Sequence, residues 1–268
     1  MRTAAVTSRT HPLLKQLRGA FAGNARLSGG LVAIEGEHLL YEAMRSGLLI
    51  ERVFLADDRT APAWLPPNAA VLEVEREVLR SAVDTLSPQG IAALVRPPEW
   101  RLEEVCCPET APLVLVAASL QDPGNLGTLI RSAEAFGATC VLTSDGTVNT
   151  WNSKAVRASA GSVFRLPVIR VSTEELLDLR RSGLRLLAAA AVDSREGLAP
   201  VPAVDANLLG ACALMIGNEG AGLSDEWLEL ATARVTIPML GPVESLNAAI
   251  AGSVLLYEAA RQRARRTT

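Results

Sequence analysis

Short apolar runs alternate with amphipathic stretches along almost the whole chain. In the first hundred residues "LVAIEG", "IERVFLAD", "AVLEVE" and "IAALVR" read as strands. "HPLLKQLRGAF", "EHLLYEAMRSG" and "REVLRSAVD" carry apolar residues at helical spacing, and Gly47 closes the second of these helices. This pattern predicts a small α/β unit with its own apolar set. A stretch rich in proline and charge, "RPPEWRLEEVCCPETAP", reads as a linker. From Leu113 the alternation resumes with more continuous apolar runs: "LVLVAAS", "CVLTSD", "LPVIRV", "LRLLAAAAV", "ACALMIG" and "RVTIPM". Helical stretches lie between most of them, which predicts a parallel sheet covered on both faces. A long helix from roughly Leu246 to Arg265 ends the chain. Its apolar positions Leu246, Ile250, Val254, Leu255 and Ala259 suit a core or an interface equally. The expected organisation is an α/β domain over residues 1–98, a linker over 99–112 and a second α/β domain over 113–268.

Composition narrows the class. Of 268 residues 49% are hydrophobic and 21% charged, enough to bury a sizeable core and too apolar for a disordered chain. The longest apolar runs reach about half the ~20 residues that a membrane helix needs. The first residues, "MRTAAVTSRTHPLLKQLR", contain no hydrophobic signal region, so a soluble cytoplasmic protein without membrane association is expected. Cys106 and Cys107 are adjacent, Cys140 and Cys212 sit in apolar runs, and no Cys-x-x-Cys or Cys/His pattern occurs. Neither a zinc site nor a disulfide framework is expected, and buried cysteine is the default. The net charge of −3 counts against a nonspecific nucleic-acid binder. Its distribution is uneven: Arg2, Arg9, Lys15, Arg18 and Arg26 precede the first acidic residue, Glu35, and Arg261, Arg263, Arg265 and Arg266 crowd the end. Two basic ends read equally as a footprint for an anionic polymer or as solvated termini.

The chemistry concentrates after three of the predicted strands. "LQDPGNLGTLIRSAEAFG", Leu120 to Gly137, has the strand–turn–helix shape of a phosphate loop. The spacing refutes that: a dinucleotide loop needs G-x-G-x-x-G, a P-loop needs Gly-Lys-Ser/Thr, and neither is present. A nucleotide-dependent oxidoreductase is thereby disfavoured. The stretch offers instead an amide, Asn125, at the helix mouth and a guanidinium, Arg131, less than two turns further on. Asn125 would also make a good N-cap after the Asp122-Pro123 turn, and Arg131 a surface arginine. "MIGNEGAGLS", Met215 to Ser224, places Glu219 between glycines. "IPMLGPVESLNAAIAGSVLLYEAARQR", Ile237 to Arg263, sets Ser245, Leu246 and Asn247 at the start of the last helix, where Ser and Asn cap well. Ligands of open α/β sheets bind at such strand ends.

The D-P-x-N-x-G-x(3)-R-x-A-x(2)-F-G, I-G-x-E-G-x-G and I-P-M…S-L-N stretches resemble, in order, the three motifs of the SpoU (TrmH) family within the SPOUT superfamily. "KAVRASAGSVFRLPV", Lys154 to Val168, is similar to the segment between the first two. "RLSGGLVAIEGEHLLYEAMRSG" resembles, more loosely, the L30e-like substrate domain of members that act on 23S rRNA. The fold implied is α/β, an L30e-like N-terminal domain followed by a methyltransferase domain with a deep trefoil knot, which no periodicity could reveal. The activity implied is S-adenosylmethionine-dependent 2′-O-methylation of ribose in RNA, without a metal, by a homodimer.

That resemblance also assigns roles. Arg131 matches the arginine that the family proposes as catalytic, with Asn125 orienting it or the ribose. Because guanidinium stays protonated, a phosphate clamp that polarises the hydroxyl suits Arg131 better than a literal base. Glu219 would brace the cofactor loop through turn amides or touch substrate, and Ser245 and Asn247 would lie near ribose and cofactor. Gly217, Asn218, Ile237, Met239 and Leu246, with Ala190 or Ala191, would line the cofactor pocket. Arg9, Lys15, Arg18, Arg26 and Arg157 would contact RNA. Ala248 and Ala249 follow Asn247 where many members read S-L-N-V-S, which removes one possible hydrogen bond and no proposed catalytic group. A tRNA target, an antibiotic-resistance rRNA target and a non-catalytic rRNA-binding relative are the alternatives.

Overall fold

The computed structural model describes residues 5–190 and 199–265, which form two compact units. The first holds the described residues up to Glu99 together with Trp151–Arg165; the second holds Trp100–Thr150 and the chain from Leu166 onward.

Helices α1 (Pro12–Phe21), α2 (Ala25–Ser28), α3 (Glu37–Arg45) and α4 (Arg76–Arg80) in the first unit accompany strands β1 (Val32–Glu35), β2 (Ile50–Ala56), β3 (Val71–Val74) and β4 (Ile91–Val95). The strand order is β1-β4-β2-β3, with β4 antiparallel to both its neighbours and β3 parallel to β2. Pro12 opens α1, where its missing N–H costs nothing, and His11 Nδ1 accepts the Leu13 amide at 3.3 Å. Gly47, at φ +75°, closes α3 as its position predicts. The helix expected over "REVLRSAVD" runs only to Arg80. Ser81 turns its hydroxyl back onto the Val78 carbonyl at 2.7 Å, a local bond that competes with continuation. Leu14, Leu17, Phe54, Val74 and Leu79 are buried between helices and sheet.

The second unit begins within the stretch that composition marks as a linker. It carries a short helix, α5 (Leu102–Val105), and a 3₁₀ turn at Pro108–Thr110, and Cys106 is buried in the core of that unit. Next come β5 (Leu113–Ala117), α6 (Pro123–Ala135) and β6 (Cys140–Thr143). The chain then gives Trp151–Arg165, including α7 (Ser153–Ser159), to the first unit. There Ser153 donates to Asp84 at 2.5 Å and Arg165 pairs with Glu42 at 2.8 Å. It continues with β7 (Val168–Arg170), α8 (Thr173–Arg181), β8 (Arg185–Ala189), β9 (Val201–Pro202), β10 (Cys212–Ile216), α9 (Asp225–Leu230), β11 (Ala233–Thr236) and α10 (Ala248–Ala264).

All seven strands of this unit pair in parallel, in the order β7-β6-β5-β10-β8-β11-β9. Every residue of β5 and β10 is buried, as their unbroken apolar runs require. Alternate residues Val114, Val116, Ala213 and Met215 join Leu176 of α8 and Trp227 of α9 in one core cluster. Helix α10 packs against β10, β5 and α6. Gly252 makes the α6–α10 approach close: a Cβ there would lie 2.4 Å from Leu129 Cδ2. One turn further along α6, Ser132 shares a hydrogen bond with Ser253 at 2.7 Å. Strand β9 escapes sequence reading because two residues at a sheet edge make no run.

The basic C-terminus is not the free patch that charge alone permits. Arg261 lies against Glu258 through two 2.7 Å bonds. Arg263 donates to the carbonyls of Leu208 at 2.9 Å, Gly210 at 2.7 Å and Ala111 at 2.9 Å, tying α10 to two loops. Arg266 lies outside the described residues. Arg263→Ala strands these carbonyls, and a loss of ~2–4 kcal/mol in urea unfolding is expected.

Candidate active site

Three loops meet at the carboxyl ends of β5, β10 and β11. The first starts at Ser119, whose φ of +55° turns the chain and whose amide donates to Ser144 Oγ at 2.8 Å. Asp122, not Asn125, caps α6, accepting the Asn125 amide at 2.9 Å. Pro123 takes the first helical position, so Asn125 falls within the first turn and its side chain is available for other work. That corrects the capping expectation.

The second loop folds back on itself. Asn218 and Gly222 exchange backbone hydrogen bonds at 2.9 and 3.0 Å, and Asn218 Oδ1 accepts the amides of Gly220 and Ala221 at 2.9 and 3.2 Å. A Cβ on Gly217 would stand 2.2 Å from the Gly222 carbonyl carbon, so only glycine allows this closure. Asn218 Nδ2 also donates to the Ser119 carbonyl at 3.0 Å, joining the second loop to the first.

With the Gly220 and Ala221 amides already satisfied, Glu219 is free to reach the first loop. Its Oε2 accepts the Gln121 amide at 3.3 Å, and Oε1 accepts the Asp122 amide at 3.2 Å and Asn125 Nδ2 at 2.9 Å. Asn125 Oδ1 in turn accepts Asn247 Nδ2 at 3.1 Å. Asn247 caps α10 with its oxygen, accepting the Ala249 and Ile250 amides at 2.9 and 3.2 Å. The chain Glu219–Asn125–Asn247 thus links all three loops. Partial burial works to raise the Glu219 carboxyl. The Asn125 side chain and the backbone amides of Glu219 itself, Gln121 and Asp122 outweigh it and hold the carboxyl below its ordinary value.

Beside this chain lies a cavity of about 280 Å³, near the lower end of the volume range of small-molecule sites. Ala190, Gly217, Asn218, Glu219, Ile237, Met239, Ser245 and Leu246 line it. Ala191 falls outside the described residues. Thr236, Glu244, Ala248, Ala251 and Leu255 also line it. Leu255 reads as core or interface in a periodic pattern, and nothing in the sequence sets Thr236 or Glu244 apart. Apolar side chains on one side and a folded loop of backbone amides and carbonyls on the other suit an adenosine-type cofactor. Among the described residues no cluster of His, Cys, Asp or Glu can hold a metal ion.

Arg131 is not drawn into this network. It lies exposed on α6, outside the cavity wall, with no hydrogen bond or ion pair among the described residues. Asn125 orients toward Glu219 and Asn247, not toward Arg131. Arg9, Lys15, Arg26 and Arg157 are exposed in the first unit, whereas half-buried Arg18 donates to the Arg9 carbonyl at 2.6 Å. No helix among the described residues is long and apolar enough to cross a membrane.

Fold and site together define an α/β enzyme with a small-molecule cleft at the carboxyl ends of a parallel sheet. Residues 112–257 match the SpoU rRNA Methylase family, and residues 12–93 match an MRM3-like substrate binding domain. The chain belongs to the SpoU rRNA methylase family. It is 34% identical to the 23S rRNA (guanosine(2553)-2′-O)-methyltransferase RlmP of Bacillus subtilis (strain 168), over 84% of this chain and 86% of that one. It is 31% identical to the 23S rRNA (uridine(2479)-2′-O)-methyltransferase of Streptomyces viridochromogenes, over 90% and 86% of the two chains. The crystal structure of an AdoMet-bound rRNA methyltransferase from Sinorhizobium meliloti superposes with a TM-score of 0.83 at 29% identity, covering 97% of this chain and 98% of that one.

With its carboxyl held low, Glu219 contributes stability that is fully present above the ordinary value of 4.5 and is lost as pH falls through the lower folded value. The Gln121 and Asp122 amides should therefore stay protected from hydrogen exchange at neutral pH and lose protection only below the usual carboxylate range. In Glu219→Ala they should exchange about tenfold faster at neutral pH.

Proposed function

We propose that this chain transfers a methyl group from S-adenosylmethionine to a ribose 2′-hydroxyl in RNA, with 23S rRNA as the substrate. The observation that carries this is the Glu219–Asn125–Asn247 chain, which closes three strand-end loops around a cavity whose walls suit the cofactor. Family membership and the 23S rRNA substrates named for two relatives support the same reading. Those relatives modify a guanosine and a uridine, so the base beside the methylated ribose is a property of each enzyme.

The cofactor supplies a methyl group on a positively charged sulfur. The chain has to place a hydroxyl in line with that methyl and let its proton leave. A guanidinium offers donors and no acceptor, so Arg131 acts as a clamp on the neighbouring phosphate and polarises the hydroxyl. A phosphate oxygen or water receives the proton. Having no protein partner among the described residues, Arg131 keeps its donors for RNA. Asn125 and Asn247 position the ribose, Ser245 sits beside them on the cavity wall, and Glu219 holds both loops in register. Backbone groups around Gly217 and Asn218, and the side chains of Ile237, Met239 and Leu246, hold the cofactor, with Ala190 and Ala191 as a further wall.

The same reading takes in the rest of the assembly: a cytoplasmic homodimer whose first unit binds RNA and whose second unit, which includes the stretch expected as a linker, carries the catalytic loops. The insertion of β10 between β5 and β8, with α10 packed on it, supports the deep trefoil knot of the family. The stripe on α10 divides in a way that supports the dimer. Leu255 and Ala259 are buried, while Ile250 and Val254 remain exposed and apolar.

Methyl transfer from labelled cofactor to ribosomal RNA tests the chemistry. Arg131→Ala should lower transfer by about 10²–10³-fold while calorimetry finds cofactor affinity unchanged. Full activity in that variant would remove Arg131 from the mechanism. Replacing Arg9, Lys15 and Arg26 by alanine should weaken RNA binding and flatten its salt slope by about two units, because a chain that neutralises fewer phosphates releases fewer counterions. An unchanged slope would place the RNA footprint elsewhere.

A further inference from the structure

A second cavity of about 280 Å³ lies wholly within the first unit, between the end of β1, helix α4 and the loop that leads into β4. Its composition is unusual for a surface hollow. Glu35 is a carboxylate in its wall and only 7% exposed. One of its oxygens accepts the Gln89 amide at 2.6 Å, and the other has no hydrogen-bond partner among the described residues. The unused oxygen is reached by solvent through the cavity and can accept donors from outside the chain. Arg76 and Arg80 stand on the same wall. Arg76 bonds Asp58 through Nε, and Arg80 approaches Glu77 only to 3.8 Å with its side chain 60% exposed. The opposite lip carries Leu86, 99% exposed, so its side chain contributes nothing to the core.

We propose that this cavity receives one unpaired guanine of the RNA substrate, a nucleotide other than the methylated one. The inference rests on the reading of the chain as an RNA ribose methyltransferase and adds a base-reading site to it. Guanine alone among the common bases presents two adjacent donors, N1–H and the N2 amino group, to a carboxylate. Uracil offers one N–H between two carbonyls that Glu35 repels, and adenine and cytosine each offer an amino group beside an acceptor. Single-stranded RNA is recognised through such splayed bases, read on the Watson–Crick edge and covered by apolar or planar side chains. Leu86 covers the base face, and Arg80, with the unpaired nitrogens of Arg76, meets the flanking phosphates. The volume admits a single base and excludes a duplex.

The test uses the full chain and three single-stranded oligouridine probes that carry one central guanosine, inosine or adenosine. Fluorescence anisotropy should rank guanosine above adenosine by about tenfold, with inosine, which lacks the N2 amino group, between them. Glu35→Gln keeps an acceptor for the Gln89 amide and replaces the free oxygen by a donor. It should erase the ranking and leave cofactor binding intact. Leu86→Ser, on a side chain that packs against nothing, should weaken all three probes alike. Equal affinity of the wild-type chain for the three probes overturns the proposal, as does a ranking that survives Glu35→Gln. Methyl transfer to ribosomal RNA, assayed on the same proteins, separates the two readings. A wild-type chain inactive on every RNA refutes the enzymatic reading. An active wild type whose KM is unmoved by Glu35→Gln refutes the guanine site alone, whereas a rise of about tenfold in KM at constant kcat supports it.

Discussion

One carboxylate organises the catalytic unit. Loops at the ends of parallel strands carry backbone N–H groups that no ladder satisfies, and each must find an acceptor. Glu219 provides that acceptor across a gap in sequence of almost a hundred residues, taking two amides of the first loop and the side chain of Asn125. Asn125 then hands the connection to Asn247. Both asparagines can serve because an amide donates and accepts at once, so the polarity of the chain runs in one direction from the cap of α10 to the carboxylate. The cavity lies beside this chain, with Glu219 in its wall.

The close approach of α6 and α10 serves the same end. Gly252 removes the side chain that would hold the helices apart, and the Ser132–Ser253 bond fixes their register one residue from Arg131. The guanidinium itself stays out of hydrogen bonding among the described residues. Its neighbours in composition do otherwise. Arg261 and Arg263 are committed to a carboxylate and to carbonyls that hold the last helix in place. Arginines of equal formal charge thus divide into structural and available sets, and only their surroundings tell them apart.

The first unit divides its polar groups in a similar way. Exposed Arg9, Lys15 and Arg26 contrast with half-buried Arg18, which is committed to a carbonyl, and with the Glu35 carboxylate, which is sunk in a hollow lined also by Arg76 and Arg80. The segment Trp151–Arg165 belongs to this unit although it lies between two strands of the other. Arg157 therefore belongs to the first unit.

Most of the architecture was legible because its causes are local. Apolar runs such as "LVLVAAS" and "ACALMIG" had to be buried on both faces, and Pro12 and Gly47 mark helix ends through their own backbone constraints. The resemblance of three stretches to the SpoU motifs singled out Asn125, Glu219 and Asn247. What spacing could not supply was their partners. Whether Asn125 caps a helix or bonds Glu219 depends on Asp122 reaching the cap first. The same holds for the tail arginines, for Cys106 buried within an apparent linker, and for Leu255, which is core and cavity wall together. Residue types and their periodicity determined the strands, the helices and the candidate chemistry. Tertiary structure alone decided which polar groups meet, because hydrogen bonds between residues a hundred positions apart are set by how the sheet orders its strands.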